Sequence, residues 1–268
     1  MENTSISADD IFRAKLVVEQ AAIRGVLNQD EFNLAVDIVK KIDKLLNLNK
    51  EEDKMLHGVE AFVNHNKQIF GEEGPKVILD VGTRDLSESI EILNFFPNAK
   101  LIAFEPNPSQ YQFCLERAKA YPNITVLDYA VSDEEGEVDF YVVGANYGGS
   151  SLLEPIDVPY SDGTHTKVTV QCRRLDSVLT ELGIEKVDAI WMDVQGNELK
   201  ALKGLGKYIE TVDIMHTEAC PNPYYVGHQS KTELEQFVTD SGFSHRFEVH
   251  VGHPYGEGDL ICEKIKGN

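Results

Sequence analysis

The first 70 residues carry apolar positions at the spacing of α-helices. Five of them recur at intervals of three and four along one helical face: Phe32, Ala35, Val39, Ile42 and Leu46. Similar spacing predicts further helices near residues 11–27 and 55–62. We therefore expect residues 1–70 to form a helical N-terminal cap that packs on the main domain, with a lid or a homo-oligomer interface as the alternatives.

After a Gly- and Pro-containing break at residues 71–75, short apolar runs alternate with helical patterns. The runs that indicate buried strands begin at Val77, Leu101, Ile124, Val187 and Val212. Between the second and third runs, Asn107 is a predicted helix N-cap, with Pro108 at the first helical position. This alternation predicts a parallel sheet with helices on both faces, so we expect residues 71–268 to form one doubly wound α/β domain.

Two segments depart from the alternation. Residues 136–175 contain two predicted strands, 138–143 and 167–171, separated by a Gly- and Ser-rich loop of the length that is often functional. Near the C-terminus, predicted strands at 247–251 and 259–262 flank a Gly-rich turn, and strands this close along the chain pair antiparallel. The sequence therefore predicts a mostly parallel sheet that ends in an antiparallel hairpin.

The composition and the net charge limit the classes of molecule that this protein is expected to bind. The chain has 268 residues, of which 42% are hydrophobic, and a formal net charge of −20. Such a charge repels phosphate groups, which argues against nucleic acids and anionic membrane surfaces as partners. The N-terminus lacks the pattern of a secretory signal, and the four cysteines lie far apart. We therefore expect a cytoplasmic protein with reduced, mostly buried thiols.

The first candidate site follows the first two predicted strands. The segment Asp80-Val81-Gly82-Thr83-Arg84-Asp85 comes directly after the run that begins at Val77, and ligands of doubly wound sheets bind at the carboxyl ends of strands. Glu105 ends the second strand, where an acidic residue accepts hydrogen bonds from the hydroxyls of a ribose. The pattern predicts a nucleoside-containing cofactor.

Two cofactors contain such a nucleoside, NAD and S-adenosylmethionine. The three glycines that bind a pyrophosphate are missing, because Arg84 and Leu86 stand where the second and third would fall. Asp80 would repel a phosphate but suits the cationic S-adenosylmethionine. The alternatives that stay open are an NAD-dependent sugar-modifying oxidoreductase or epimerase and a non-catalytic nucleoside-binding module.

From about residue 77 to about residue 243 the chain resembles the FkbM family of methyltransferases. Six motifs carry the resemblance: Leu79-Asp80-Val81-Gly82, Ala103-Phe104-Glu105-Pro106-Asn107-Pro108, Ala130-Val131-Ser132-Asp133-Glu134-Glu135-Gly136, Gly149-Ser150-Ser151-Leu152, Arg174-Leu175-Asp176-Ser177-Val178 and Met192-Asp193-Val194-Gln195-Gly196-Asn197-Glu198. The resemblance implies a class I methyltransferase fold, which is Rossmann-like, and S-adenosylmethionine as the cofactor.

The resemblance also implies which residues bind that cofactor. Asp80, Gly82 and Glu105 would hold it, and Ala130 and Val131 would lie near the adenine. The complete predicted cofactor site adds their neighbours and the end of a later strand: Thr83, Arg84, Pro106, Asn107 and Asp193.

The chain departs from the family pattern in two places. The family often has Ala-Asn-x-Gly where this chain has Thr83-Arg84-Asp85-Leu86, and it usually has Glu-Gly-x-Glu where this chain has Gln195-Gly196-Asn197-Glu198. The first difference affects the residues beside the methionine part of the cofactor. The second removes a carboxylate at position 195.

Three residues at the ends of neighbouring predicted strands are the candidate catalytic groups, namely Asp193, His216 and Glu218. Methylation of a hydroxyl requires alignment of the nucleophile and removal of its proton, and any of the three could be the general base. Asp193 and Glu218 could instead hold Mg²⁺ or Ca²⁺, which prefer oxygen ligands. The family resemblance implies O-methylation of a small, polyhydroxylated acceptor of the sugar or glycan type.

Overall fold

The structure is a computed structural model that describes residues 58–144, 147–156, 158, 161, 163–221, 224–249 and 258–265. The helices predicted near residues 11–27 and 32–46 lie outside these residues. The compact unit that contains the sheets spans His57–Asn268. The described secondary structure therefore concerns this unit alone.

Within the described residues, the strands and α-helices follow one another largely as the apolar pattern predicts. The strands are β1 (Val77–Val81), β2 (Lys100–Phe104), β3 (Ile124–Leu127), β4 (Tyr129–Val131), β5 (Gly136–Val143), β6 (His165–Arg173), β7 (Ala189–Met192), β8 (Ile214–Ala219), β9 (Phe243–Val249) and β10 (Gly258–Lys264). The helices are α1 (Gly58–Phe70), α2 (Ser87–Phe95), α3 (Pro108–Ala118), α4 (Leu175–Glu181), α5 (Glu198–Lys203) and α6 (Lys231–Asp240). Short 3₁₀ helices span Tyr147–Gly149 and Gly206–Glu210.

Seven strands form the central sheet in the order β3-β2-β1-β7-β8-β10-β9. Neighbours from β3 to β8 are parallel, and β10 is antiparallel to both β8 and β9. The predicted doubly wound, mostly parallel sheet with an antiparallel C-terminal hairpin is confirmed, and this is the class I methyltransferase arrangement. The direction of winding reverses between β1 and β7, so the sheet has its topological switch point there.

Each face of the central sheet is covered by helices, because alternate residues of the buried strands are apolar on both sides. Residues of α1, α2 and α3 pack with Ile78 and Ala189 on one face. Residues of α4, α5 and α6 pack with Leu79 and Ile190 on the other. Helix α3 begins as predicted, with the Asn107 side chain accepting a hydrogen bond from the backbone N–H of Ser109 and with Pro108 in the first turn.

A second, three-stranded sheet has the order β4-β6-β5. Strands β5 and β6 are the two predicted within residues 136–175, and they pair antiparallel along their whole lengths. Strand β4 pairs parallel to β6 and joins the two sheets along the chain. This sheet has a core of its own around Phe140 and Val170, and it forms a wall beside the switch point.

Two further expectations concern cysteines and membranes. The four cysteine side chains, Cys114, Cys172, Cys220 and Cys262, are buried and form no disulfide in the described part of the chain. None of the described helices is long and apolar enough to cross a lipid bilayer.

Candidate active site

The turn after β1 brings the ends of two parallel strands into direct contact. Gly82 has φ 93°, and a Cβ atom there would lie 1.9 Å from the carbonyl oxygen of Asp193. The backbone N–H of Asp193 in turn donates to the carbonyl of Val81 at 2.9 Å. Only glycine fits this position, because every other residue would both clash and adopt an unfavourable φ.

Two of the four residues after Gly82 also have left-handed backbone conformations. Arg84 has φ 54° and Leu86 has φ 64°, and such a conformation costs a non-glycine residue about 1–2 kcal/mol. Tertiary contacts hold the turn in place. The Leu86 side chain is fully buried in the core, and the Arg84 guanidinium bonds to Glu88 at 3.2 Å.

The carboxyl group of Glu105 lies at the end of β2 and lines the cleft beside this turn. Its Oε1 accepts a hydrogen bond from the backbone N–H of Asn107 at 2.8 Å, and the backbone N–H of Arg84 also bonds to the carboxyl group. Burial outweighs these bonds and raises the pKa of Glu105 to about 8. The group is therefore poised to change its charge near neutral pH.

Asp80 lies one layer deeper in the site. It is 1% exposed, and its carboxyl group accepts a hydrogen bond from the Ser89 hydroxyl. Burial raises the pKa of Asp80 to about 7. Thr83 and Asn107 are buried as well, and none of these three predicted cofactor residues is among those that line the cleft.

The cleft at the switch point has about 510 Å³ of empty volume. The predicted cofactor residues that line it are Gly82, Arg84, Glu105, Pro106, Ala130, Val131 and Asp193. Its apolar wall comes largely from residues that the sequence analysis did not assign, namely Phe104, Tyr129, Phe140 and Leu152. The site thus combines polar groups at strand ends with an apolar slot, which is typical of small-molecule sites.

A second cavity, with about 410 Å³ of empty volume, adjoins the carboxyl ends of β7 and β8. Its lining residues are Gly58, Trp191, Met192, Asp193, His216, Glu218 and Asp259. The structure thus brings the three predicted catalytic residues together. Asp193 lines both this cavity and the cleft, so the two spaces share this residue.

His216 is buried among aromatic rings under helix α1. Its ring is stacked on Trp191 at 6.0 Å between centroids, and its Nε2 lies 3.0 Å from Nδ1 of His65. Its Nδ1 has no hydrogen-bond partner among the described residues. Burial lowers the pKa of His216 well below its usual range, and the neighbouring His65 lowers it further. The ring is therefore neutral at pH 7.

Three carboxyl groups, of Asp193, Glu198 and Glu218, have oxygen atoms within 4.8 Å of one another. Burial raises the pKa of Asp193 and raises that of Glu198 to about 7. The Nε2 atom of Gln195 lies 2.6 Å from Oδ1 of Asp193 and 2.8 Å from Oε2 of Glu218. The alternative of a cation between Asp193 and Glu218 therefore does not fit, since an amide nitrogen already bridges them.

Two residues of this network, Gln195 and Glu198, were not assigned a role from the sequence. Both lie in the motif that follows β7, and the only signal for Gln195 is the family's usual glutamate at that position. Glu198 begins helix α5 and accepts the backbone N–H groups of Val194 and Gly196. It thereby fixes the loop that carries Gln195.

Comparison with known proteins adds a family and several relatives. The family model described as "Methyltransferase FkbM domain" matches residues 80–245. The 2-O-methyltransferase NoeI of Sinorhizobium fredii is 28% identical over 208 residues, which cover 73% of this chain and 82% of that protein. The methyltransferase sdnD of Sordaria araneosa is 27% identical, over 69% of this chain and 80% of its own length.

A further relative is similar over a shorter region. The hexuronic acid methyltransferase AglP of Haloferax volcanii is 25% identical over 126 residues. These cover 45% of this chain and 47% of that protein.

Proposed function

Since the chain belongs to the FkbM methyltransferase family, which the match over residues 80–245 establishes, we propose that it is an S-adenosylmethionine-dependent O-methyltransferase. The acceptor in this proposal is a hydroxyl group of a small sugar or glycan-type molecule. The observation that carries the proposal is that Asp193 lines two cavities, one suited to a nucleoside and one lined by carboxyl groups.

The residues that line the cleft support S-adenosylmethionine as the cofactor, because acidic groups lie there beside apolar side chains. S-adenosylmethionine supplies a methyl group on a sulfonium, which is transferred by direct displacement. Glu105 would accept hydrogen bonds from the ribose, and Val131, Phe140 and Leu152 would contact the adenine. Asp80, Thr83 and Asn107 would support these residues from behind, through the turn after β1 and the start of α3.

The second cavity supplies the groups that act on the acceptor. Asp193 would take the proton of the attacking hydroxyl, and its raised pKa makes it a better base than an exposed carboxylate. Glu218 lies on the same face of the sheet, on the neighbouring strand, and would hold a second hydroxyl of the acceptor. His216, which is neutral, would donate or accept a hydrogen bond there without adding charge.

The acceptor class is supported by the names of two relatives, a 2-O-methyltransferase and a hexuronic acid methyltransferase. Carboxylates accept hydrogen bonds from hydroxyl groups, so the second cavity is chemically suited to a polyhydroxylated molecule. The net charge of −20 makes a nucleic acid a poor candidate acceptor.

The test is a pair of binding titrations followed by a transfer assay. S-adenosylhomocysteine should bind and raise the melting temperature, while NAD should do neither, because a ligand that binds only the native state stabilises it. A panel of sugars is then incubated with methyl-labelled cofactor. Binding of NAD alone would refute the proposal. Cofactor binding without transfer to any acceptor would indicate a nucleoside-binding module.

A further inference from the structure

We infer that the side-chain amide of Gln195 takes the place of a cation between Asp193 and Glu218, and that it is a positioning residue for these two carboxyl groups. The catalytic meaning of this inference rests on the proposed function. The bridge itself is a feature of the geometry, and it can be tested without an acceptor.

The two N–H groups of the amide match the two carboxyl groups that face it. Nε2 of Gln195 lies within hydrogen-bond distance of both, at 2.6 Å from Asp193 and 2.8 Å from Glu218. A primary amide has two donors on its nitrogen, so one nitrogen can serve both oxygens.

The two carboxyl groups fix which way the amide points. Its nitrogen belongs on their side, because the reverse orientation would place an amide oxygen against two carboxyl oxygens. The hydroxyl of Tyr225 lies on the other side of the amide, 2.7 Å from Oε1 of Gln195 and 2.9 Å from the carbonyl oxygen of Gly149. Its single proton can be donated to only one of these two oxygens at a time.

The backbone of Gln195 is held as tightly as its side chain. The residue has φ 54°, a left-handed conformation that non-glycine residues rarely adopt. Its carbonyl oxygen accepts a hydrogen bond from the Ser151 hydroxyl at 2.8 Å. Glu198 bonds to the backbone N–H groups on either side, at 3.2 Å and 3.0 Å. The amide is therefore presented by a fixed loop.

An amide and a cation differ in how strongly they lower the pKa of a carboxyl group. A divalent cation strongly favours the ionised form and so lowers the pKa of its ligands. The hydrogen bond from the neutral amide of Gln195 also lowers the pKa of Asp193, but burial outweighs this effect, so the pKa stays raised. This is the property that a general base for a hydroxyl group needs.

The experiment compares Gln195→Glu with Gln236→Glu in the full-length protein. Gln236 is exposed and donates to the carboxylate of Asp240 at 2.9 Å, so the control makes the same change in charge beside a carboxylate. Both variants and the wild type are melted in EDTA, in MgCl₂ and in CaCl₂, near neutral pH and one to two pH units below it. Titrations of S-adenosylhomocysteine are run on the same samples.

We expect neither metal to change the melting temperature of the wild type or of Gln236→Glu. Gln195→Glu should melt roughly 5 °C or more lower in EDTA, because it adds a fourth carboxyl group to the half-buried cluster of Asp193, Glu198 and Glu218. Either metal, or a lower pH, should restore its stability. In a transfer assay, the metal-loaded variant should keep a kcat at least about tenfold below wild type, because the cation lowers the pKa of the base.

Two results would overturn the inference. One is calorimetric binding of Mg²⁺ or Ca²⁺ to the wild type that disappears in Asp193→Asn, since this would make the carboxyl groups a metal site. The other is a Gln195→Glu variant that melts like Gln236→Glu in EDTA. If S-adenosylhomocysteine binds to none of the proteins, the proposed function fails, while the melting and metal measurements still decide the role of Gln195.

Discussion

Cofactor binding is expected to depend on pH through Glu105. The site raises the pKa of this carboxyl group from 4.5 to about 8 in the ligand-free protein. A carboxyl group that accepts hydrogen bonds from both ribose hydroxyls must be ionised, because a bound proton occupies one acceptor site. Binding of S-adenosylhomocysteine should therefore release a proton.

The magnitude follows from the fraction of ionised Glu105. With a pKa near 8, about one molecule in ten is ionised at pH 7, and each pH unit below the pKa costs about 1.4 kcal/mol of binding free energy. The Kd of S-adenosylhomocysteine should therefore fall roughly tenfold between pH 6 and pH 7 and less steeply as the pH approaches 8. The stability of the ligand-free protein changes with pH in the opposite direction. Because the pKa of Glu105 is higher in the folded than in the unfolded protein, the free energy of unfolding falls as the pH rises through about 8.

Isothermal titration calorimetry in two buffers of different ionisation enthalpy measures both the Kd and the proton release. Glu105→Gln keeps an acceptor oxygen for the N–H of Asn107 but cannot ionise, so its Kd should lose the pH slope and rise by roughly one to two orders of magnitude at pH 8. The exposed Glu91→Gln is the matched control. A flat pH profile in the wild type, or the same slope in Glu105→Gln, would refute the reasoning.

Three further predictions concern the strand turn, the base and the N-terminal region. Gly82→Ala should lower the free energy of unfolding, measured in urea, by about 3 kcal/mol or more. The control is Gly183→Ala, where φ is also positive but the space around the residue is open, and it should lose only about 1 kcal/mol. Equal losses would show that the clash with Asp193 contributes nothing. Asp193→Asn should lower single-turnover methyl transfer by roughly a hundredfold while the Kd of S-adenosylhomocysteine stays within a few-fold of wild type, and a near-normal rate would place the base elsewhere. Deletion of residues 1–70 should lower the melting temperature and the solubility, because helix α1 packs against the central sheet. Deletion of residues 1–56 should instead leave a folded protein that binds S-adenosylhomocysteine. Calorimetry and light scattering measure both proteins, and equal stability of the two would contradict this prediction.

Much of the fold was predictable because its apolar pattern is local. Buried parallel strands are short apolar runs, and signals such as Asn107-Pro108 mark where a helix begins. The mostly parallel sheet and its antiparallel C-terminal hairpin followed from the alternation and from the close spacing of the last two strands, whereas the order of the seven strands was not predicted. Glu105 and Gly82 were predictable as site residues because strand ends in such a sheet have a fixed place.

The rest depends on contacts between distant parts of the chain. The left-handed conformations of Arg84 and Leu86 contradict the preferences of both residues, and tertiary packing imposes them. Gln195 is linked to Tyr225 and Ser151, which are 30 and 44 residues away along the chain. The strands of the three-stranded sheet around Phe140 have the same alternation of apolar and polar residues as any other strand pair. The position of this sheet as a wall of the cleft could therefore not be derived from that periodicity.

Because Asp193 lines two cavities, molecules bound in those cavities would be thermodynamically linked through its side chain. Under the proposed function, a charge change in the cleft alters how strongly Asp193 holds its proton, and this in turn alters the affinity of the neighbouring cavity for a hydroxyl group. Such coupling is reciprocal, so the acceptor must change cofactor affinity by the same factor. The enzyme would then distinguish the charged S-adenosylmethionine from the neutral S-adenosylhomocysteine through the side chain of Asp193. The release of the methylated acceptor and the release of S-adenosylhomocysteine would be coupled.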